Sequence, residues 1–203
     1  AAGLWKVIDG LLNLAPGASF DADGAELQLF SVGRVIVLAV AEVSTPTSVP
    51  TIKLFAFPAV SLTVQAGATL ANEGRFEIFD GKLTVDGAMN SKIFYQEAGT
   101  VQGAGPLVVR STYTWRSGPW LGSGSTTVES PGELIMETPA VKSVTTRTVT
   151  TNCAVTWSAG AISTNDGVVW TQSVGKTFTI AHDSESYDWT HDASLVNFML
   201  DGN

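Results

Sequence analysis

Short runs in which every second residue is apolar recur along nearly the whole chain. Gly, Asn, Asp or Ser sets off each one. Examples are Leu27-Gln28-Leu29, Phe76-Glu77-Ile78, Leu83-Thr84-Val85, Leu107 to Val109, Tyr113-Thr114-Trp115, Val155-Thr156-Trp157 and Phe178-Thr179-Ile180. Alternation of this kind predicts strands with one buried side. Arg34 to Val40, Ile52 to Phe57, Thr145 to Thr151 and Val168 to Thr171 read as strands too. Helical spacing of useful length is confined to Leu4–Leu14, where Leu4, Ile8, Leu11 and Leu12 approach one stripe. Gly10 weakens that helix. Two short strands about the turn pair Asp9-Gly10 are the preferred reading. The Pro/Thr/Ser stretch 45–51 reads as an exposed loop.

The chain also repeats itself. A turn glycine followed by apolar-x-apolar occurs as Gly24…Leu27-x-Leu29, Gly74-x-Phe76-x-Ile78, Gly81-x-Leu83-x-Val85, Gly132-x-Leu134-x-Met136 and Gly175…Phe178-x-Ile180, with Gly105-Pro106-Leu107-x-Val109 as a variant. A longer match aligns Tyr113-Thr-Trp115-Arg-Ser-Gly118 with Val155-Thr-Trp157-Ser-Ala-Gly160. Trp115/Trp157, Gly118/Gly160 and Val128/Trp170 all share an offset of 42 residues. The offset then drifts to 43 for Gly132/Gly175 and 44 for Met136/Ile180. Forty-two residues is too long for one coil of short strands and suits two coils of about 20 each.

The expected fold is therefore all-β, a parallel β-solenoid of roughly 20-residue coils with two or three strands apiece. A β-sandwich or jelly roll is the alternative, since it too has many short strands with turn signals. The expected organisation is an N-terminal cap or incomplete coil over 1–18, a solenoid over 19–181, and a C-terminal acidic loop with a last strand over 182–203. The block Trp-x-x-Gly-x-(Ile/Leu)…Gly-x-(Leu/Phe)-x-(Ile/Val) resembles the coils of right-handed parallel β-helix surface proteins, among them extracellular adhesins and fibre-forming repeat proteins. The resemblance runs over about residues 60–180 and is closest from Tyr113 to Ile180. It implies an architecture and a surface location, and carries over no catalytic residue.

Composition narrows the function classes. Charged residues make up only 15% of the 203, against about 25% in an average chain. Ser, Thr, Gly and Asn take their place, which suits exposed strands and turns. The formal net charge of -8 opposes binding to nucleic acid or to an anionic membrane surface. No apolar run reaches the length of a membrane span. The lone Cys153 makes no intramolecular disulfide and reads as a small core residue. The opening Ala1-Ala2-Gly3 fits a chain whose signal has been removed, or a fragment of a longer one.

Two acidic clusters are candidates for metal. His182-Asp183-x-Glu185-x-x-Asp188-Trp189-x-His191-Asp192 holds both histidines of the chain. Asp183, Glu185 and Asp188 are the candidate ligands, for Ca²⁺ through oxygen or, with histidine, for Zn²⁺. The competing reading is a solvated acidic loop. Asp21-x-Asp23-Gly24 resembles the start of a calcium loop but lacks the downstream glutamate, so a turn is the better reading. Six tryptophans are many for this length. Trp115, Trp120, Trp157 and Trp170 are expected to form an internal or half-exposed stack, and Trp120 and Trp189, if exposed, could stack on sugar rings.

No nucleophile elbow or phosphate loop occurs, so neither a catalytic residue nor a nucleotide cofactor is implied. The functional expectation is an extracellular or cell-surface structural or adhesive solenoid, a subunit of a filament or fibre. Its expected partners are other copies of itself, other surface proteins or glycans. The alternative is a carbohydrate-binding or carbohydrate-cleaving β-helix protein. Ice binding by outward threonines of Thr145 to Thr151 is a remoter reading, because one strand supplies too few.

Overall fold

The computed structural model describes residues 60–165 and 167–181, together with the flanking strands Leu4–Val7, Leu11–Leu14, Ser19–Asp21, Glu26–Leu29, Arg34–Val37, Val40–Ser44, Thr51–Leu54, Trp189–His191 and Asn197–Leu200. All regular structure among the described residues is β, and every strand pairing is parallel. Leu4–Val7 and Leu11–Leu14 are the two strands favoured over a helix, each pairing with the next coil, while the expected turn pair Asp9-Gly10 lies outside the described residues.

Each coil contributes strands to three faces. The first face stacks Ile52, Phe76, Phe94, Tyr113, Leu134, Val155 and Phe178 at one inward position. The second stacks Leu62, Leu83, Val101, Trp120 and Val144 within a sheet nine strands deep. The third stacks Leu70, Met89, Leu107, Thr126, Val149 and Trp170. Strands Thr69–Ile78 and Ala88–Gln96 run through the corner from the third face into the first, which joins those two sheets. Nine stacked strands at about 4.8 Å spacing make a column roughly 40 Å long.

One coil takes about 21 residues, so the long offset between the tryptophan motifs spans two of them. Trp115 pairs with Met136, and Met136 pairs with Trp157. Gly118 lies over Lys142 and then Ile162, so the expected match of Gly118 with Gly160 fails in register and the drift starts in this turn, although each glycine serves its own tryptophan alike. The Trp115 indole Nε1 donates to the Gly118 carbonyl at 2.9 Å, and that of Trp157 donates to Gly160 at 2.8 Å. One coil earlier, Gln96 Nε2 does the same to Gly99 at 3.1 Å. The glycines have φ of 74 to 89°, a region that disfavours a Cβ. At Gly118 a Cβ would also stand 2.0 Å from the Gly99 carbonyl oxygen.

Two sequence expectations need correction. Val128 lies over Thr151 and then Gln172, while Trp170 lies over Val149 and Thr126, so the drift in offset begins before Val128. The run Thr145 to Thr151 is two strands, Lys142–Thr145 on the second face and Thr148–Thr151 on the third. Thr146, with φ of 58°, and the buried Arg147 turn the corner between them. A run of β-branched residues hides such a corner, because nothing in it advertises a turn.

Inward side chains fill the column. Phe76, Phe94, Tyr113 and Trp120 stack in sequence with centroids 5.2, 4.7 and 5.0 Å apart. Trp115 lies on Trp120 at 3.9 Å and 12°. Buried polar groups are satisfied within this stack. Gln96 Oε1 accepts from the Tyr113 hydroxyl and from Trp120 Nε1, both at 2.8 Å. Arg147 donates to Thr126 Oγ1 and to the carbonyls of Gly103, Leu121 and Ser125, drawn from neighbouring coils. Lys142 donates to the carbonyls of Thr138, Ala140 and Ala159. It braces the corner after Met136, where Thr138 takes φ of 83°. Burial pushes Lys142 down to about 8 and Arg147 down to about 10. The Cys153 thiol is buried and pushed up to about 11 by desolvation.

Candidate functional site

The outer side of the first face carries charge and aromatic surface that linear sequence separates widely. Lys53, Glu77 and Tyr95 occupy the same outward position in three successive coils, followed by Thr114, Ile135 and Thr156. At the adjoining corner stand Phe79, Glu97, Arg116 and Glu137. Alternation forces these side chains outward, since their neighbours Phe76, Ile78, Phe94 and Gln96 point into the core.

The groups form one connected row. Glu77 Oε1 lies 2.5 Å from Arg75 Nε, and its Oε2 lies 3.6 Å from Lys53 Nζ. The Arg75 guanidinium lies over the Tyr95 ring, 5.1 Å from its centroid, and the Phe79 ring is 6.1 Å from the same ring. The Tyr95 hydroxyl donates to Glu97. Arg116 Nη1 donates to Glu97 Oε2 at 2.7 Å and to the Tyr95 hydroxyl at 3.1 Å, and its Nε lies 3.4 Å from Glu137 Oε1. Burial, and then the Glu97 carboxylate, raise the Tyr95 pKa above its ordinary value, with Arg116 opposing. One coil step is about 4.8 Å, so the row from Lys53 to Glu137 is about 19 Å long.

Three cations and three carboxylates alternate along it, with aromatic surface between. Such a row can hydrogen-bond and stack an extended polar ligand or a partner protein. Its carboxylates already hold cations. Acid–base chemistry on a sugar uses a carboxyl in an apolar setting instead.

The sequence-derived candidates fare differently. Trp120 is wholly buried against Trp115 and Tyr113, so its ring offers no face to a sugar. Its register between the buried Val101 and Val144 turns the indole inward, where Nε1 donates to Gln96 Oε1. Trp115 and Trp170 are buried as expected for a stack, and Trp157 is 3% exposed. Trp189 belongs to a second-face strand pairing with Ile162, and its side chain lies outside the described residues. Asp183, Glu185 and Asp188 lie outside the described residues, as do Asp23 and Gly24. Among the described residues, no three His, Cys, Asp or Glu side chains gather to hold a metal ion. Asp80 and Asp86 serve turns: Asp80 Oδ1 accepts from Gly81 N at 2.7 Å, and Asp86 Oδ1 from Ala104 N at 3.2 Å.

The row has no signature in the linear sequence. Lys53, Glu77 and Tyr95 belong to coils of different length, so their intervals in sequence are unequal and no fixed period reveals them. No protein-family model, curated protein or solved structure matches the chain. Among the described residues no helix is long and apolar enough to cross a membrane.

Proposed function

We propose that this chain is an extracellular structural or adhesive β-solenoid, a subunit of a filament or surface fibre that uses its first face for contact. The observation that carries the reading is the Lys53–Glu137 row, a polar and aromatic strip spread over successive coils of one sheet. Rows of this kind suit long ligands, because each coil adds a contact at fixed spacing. Surfaces rich in Ser and Thr and poor in Lys fit the extracellular setting.

Beads coated with the protein should adhere to cells or to immobilised glycans of its native environment. Arg116→Ala with Tyr95→Ala should reduce adhesion several-fold while leaving the circular dichroism spectrum intact. Equal adhesion of wild type and double variant would remove the first face from the account. The carbohydrate alternative is favoured by Phe79 and Tyr95 beside Arg75. It is tested by the same beads on a neutral-glycan panel, where cleavage products would convert the reading from adhesin to enzyme.

A further inference from the structure

The outward side chains of the first face stand in three columns across four successive coils. The first column holds Arg75, Ile93, Thr112 and Glu133, because Arg75 pairs with Ile93 and Thr112 with Glu133, while Ile93 and Thr112 flank the Phe94–Tyr113 pair. The second runs from Glu77 through Tyr95 and Thr114 to Ile135. The third is the corner column of Phe79, Glu97, Arg116 and Glu137, which follow Ile78, Gln96, Trp115 and Met136.

Opposite charges occupy symmetric places on this grid. Arg75 and Glu133 are the two ends of the first column, and Glu97 and Arg116 are the two middle members of the third. A half-turn about the strand direction, centred between the second and third coils, reverses the order of coils and leaves each column in place. It sets a second copy face to face with the first, Arg75 against Glu133 and Glu97 against Arg116, and each pair forms twice. Tyr95 then meets Thr114, and Ile135 covers Glu77, which Arg75 and Lys53 already neutralise. Sliding the copy by one coil sets Glu97 against Glu97 or Arg116 against Arg116. A half-turn about the column axis instead sets Glu77 against Glu77 and Glu133 against Glu137. Of these four arrangements, the first alone opposes no like charges directly, and like charges across an interface are strongly disfavoured.

We propose that the first face pairs two copies of this chain, antiparallel, about that two-fold axis. The inference rests on the reading of the first face as a contact surface and names its partner. Glu133 accepts from Thr156 Oγ1 at 2.5 Å, and among the described residues no cation lies within ion-pair distance of it. The second copy's Arg75 supplies one. Glu97 and Arg116 are already paired within the chain, so the second copy joins two ion pairs into a ring of four charges. The side chains of Arg75, Glu97 and Arg116 are 41%, 37% and 34% exposed, which leaves them within reach. With Glu133 the face holds three cations against four carboxylates, so two chains of net charge -8 meet where they repel least. Six coils from Lys53 to Thr156, three columns wide, give a footprint of about 500 Å² per copy. The total of about 1,000 Å² is the lower bound for a specific interface, so the dimer is reversible and forms at micromolar concentrations.

The test is sedimentation equilibrium of the whole chain at about 0.15 M salt, where repulsion between the two net charges is largely screened. Wild type should dimerise. Arg75→Glu and Glu133→Arg, each alone, set two pairs of like charges against one another and should weaken the dimer about tenfold or more. An equimolar mixture of the two single variants restores both pairs and should recover heterodimers, as should the double variant on its own. Recovery by mixing also excludes misfolding as the cause of the loss. A chain that stays monomeric up to about 100 μM, a dimer indifferent to both reversals, or no recovery in the mixture and the double variant would each overturn the proposal. Bead adhesion that depends on Arg116 and Tyr95 in a strictly monomeric chain would dismiss the pairing and leave the adhesive reading standing. Recovery by mixing, in a chain whose beads do not adhere, would uphold the pairing and remove adhesion.

Discussion

Gln96 is the polar centre of the aromatic interior, and its replacement by Leu has a calculable cost. The side chain is fully buried. Its Oε1 accepts from Tyr113 and Trp120, and its Nε2 donates to Gly99. Leucine keeps most of the volume and strands two buried donors and one carbonyl. An orphaned buried donor costs about 1–3 kcal/mol, and the carbonyl, with a second lone pair, somewhat less. The better burial of leucine offsets about 1 kcal/mol. The net loss is about 2–6 kcal/mol. At a urea slope of about 2 kcal/mol/M, the unfolding midpoint should fall by about 1–3 M. Tryptophan fluorescence is a suitable probe, because Trp115 and Trp120 report on this part of the column. Adding Tyr113→Phe to Gln96→Leu removes one orphaned donor and should recover about 1–2 kcal/mol, although Tyr113→Phe alone destabilises. A midpoint shift below about 0.3 M, or no recovery in the double variant, would refute the reasoning.

Lys142 gives a pH signature. Its folded pKa of about 8 lies below its ordinary 10.5, so between those values the unfolded chain binds more protons and stability rises with pH. Between pH 8 and 10 the rise is worth about 2 kcal/mol and should vanish in Lys142→Met, as urea midpoints at those pH values would show; parallel wild-type and variant curves would contradict it. The Cys153 thiol, pushed up to about 11 from 9, acts oppositely, so stability it contributes is lost as pH rises from 9 through 11, and comparison with Cys153→Ala isolates that part. Gly118→Ala should cost more than about 3 kcal/mol, since strained φ and a 2.0 Å approach to Gly99 O combine. Gly67→Ala, at similar φ with open space, should cost only about 1 kcal/mol by thermal unfolding. Arg116→Ala alone should change stability by less than about 1 kcal/mol, because its ion pairs are half-exposed. A larger loss would make the row a structural brace rather than a contact surface.

The fold was legible because a solenoid writes its geometry into local spacing. Trp115 and Trp157 stand two coils apart, and each closes a turn on the glycine three residues later, so the motif survives as Trp-x-x-Gly. Gly74-x-Phe76-x-Ile78 and Gly81-x-Leu83-x-Val85 looked like successive repeats but belong to two faces of one coil. Their separation in sequence therefore says nothing of coil length. Thr145 to Thr151 concealed a corner because Thr146 turns without glycine and Arg147 is drawn inside by carbonyls from other coils. The first-face row was invisible because coil length varies, so residues aligned in space fall at irregular intervals in sequence. Trp120 misled because exposure depends on which way its short strand alternates. That direction is fixed by pairing with the inward Val101 and Val144 of other coils, and Gln96 in the preceding coil receives the indole hydrogen bond.

Immunogold electron microscopy of intact, unpermeabilised cells tests the central claim most directly. Label is expected on the outer surface, along fibres or a continuous coat, and should be lost after brief protease treatment of whole cells. Label that appears only after permeabilisation, dispersed through the interior, would contradict it.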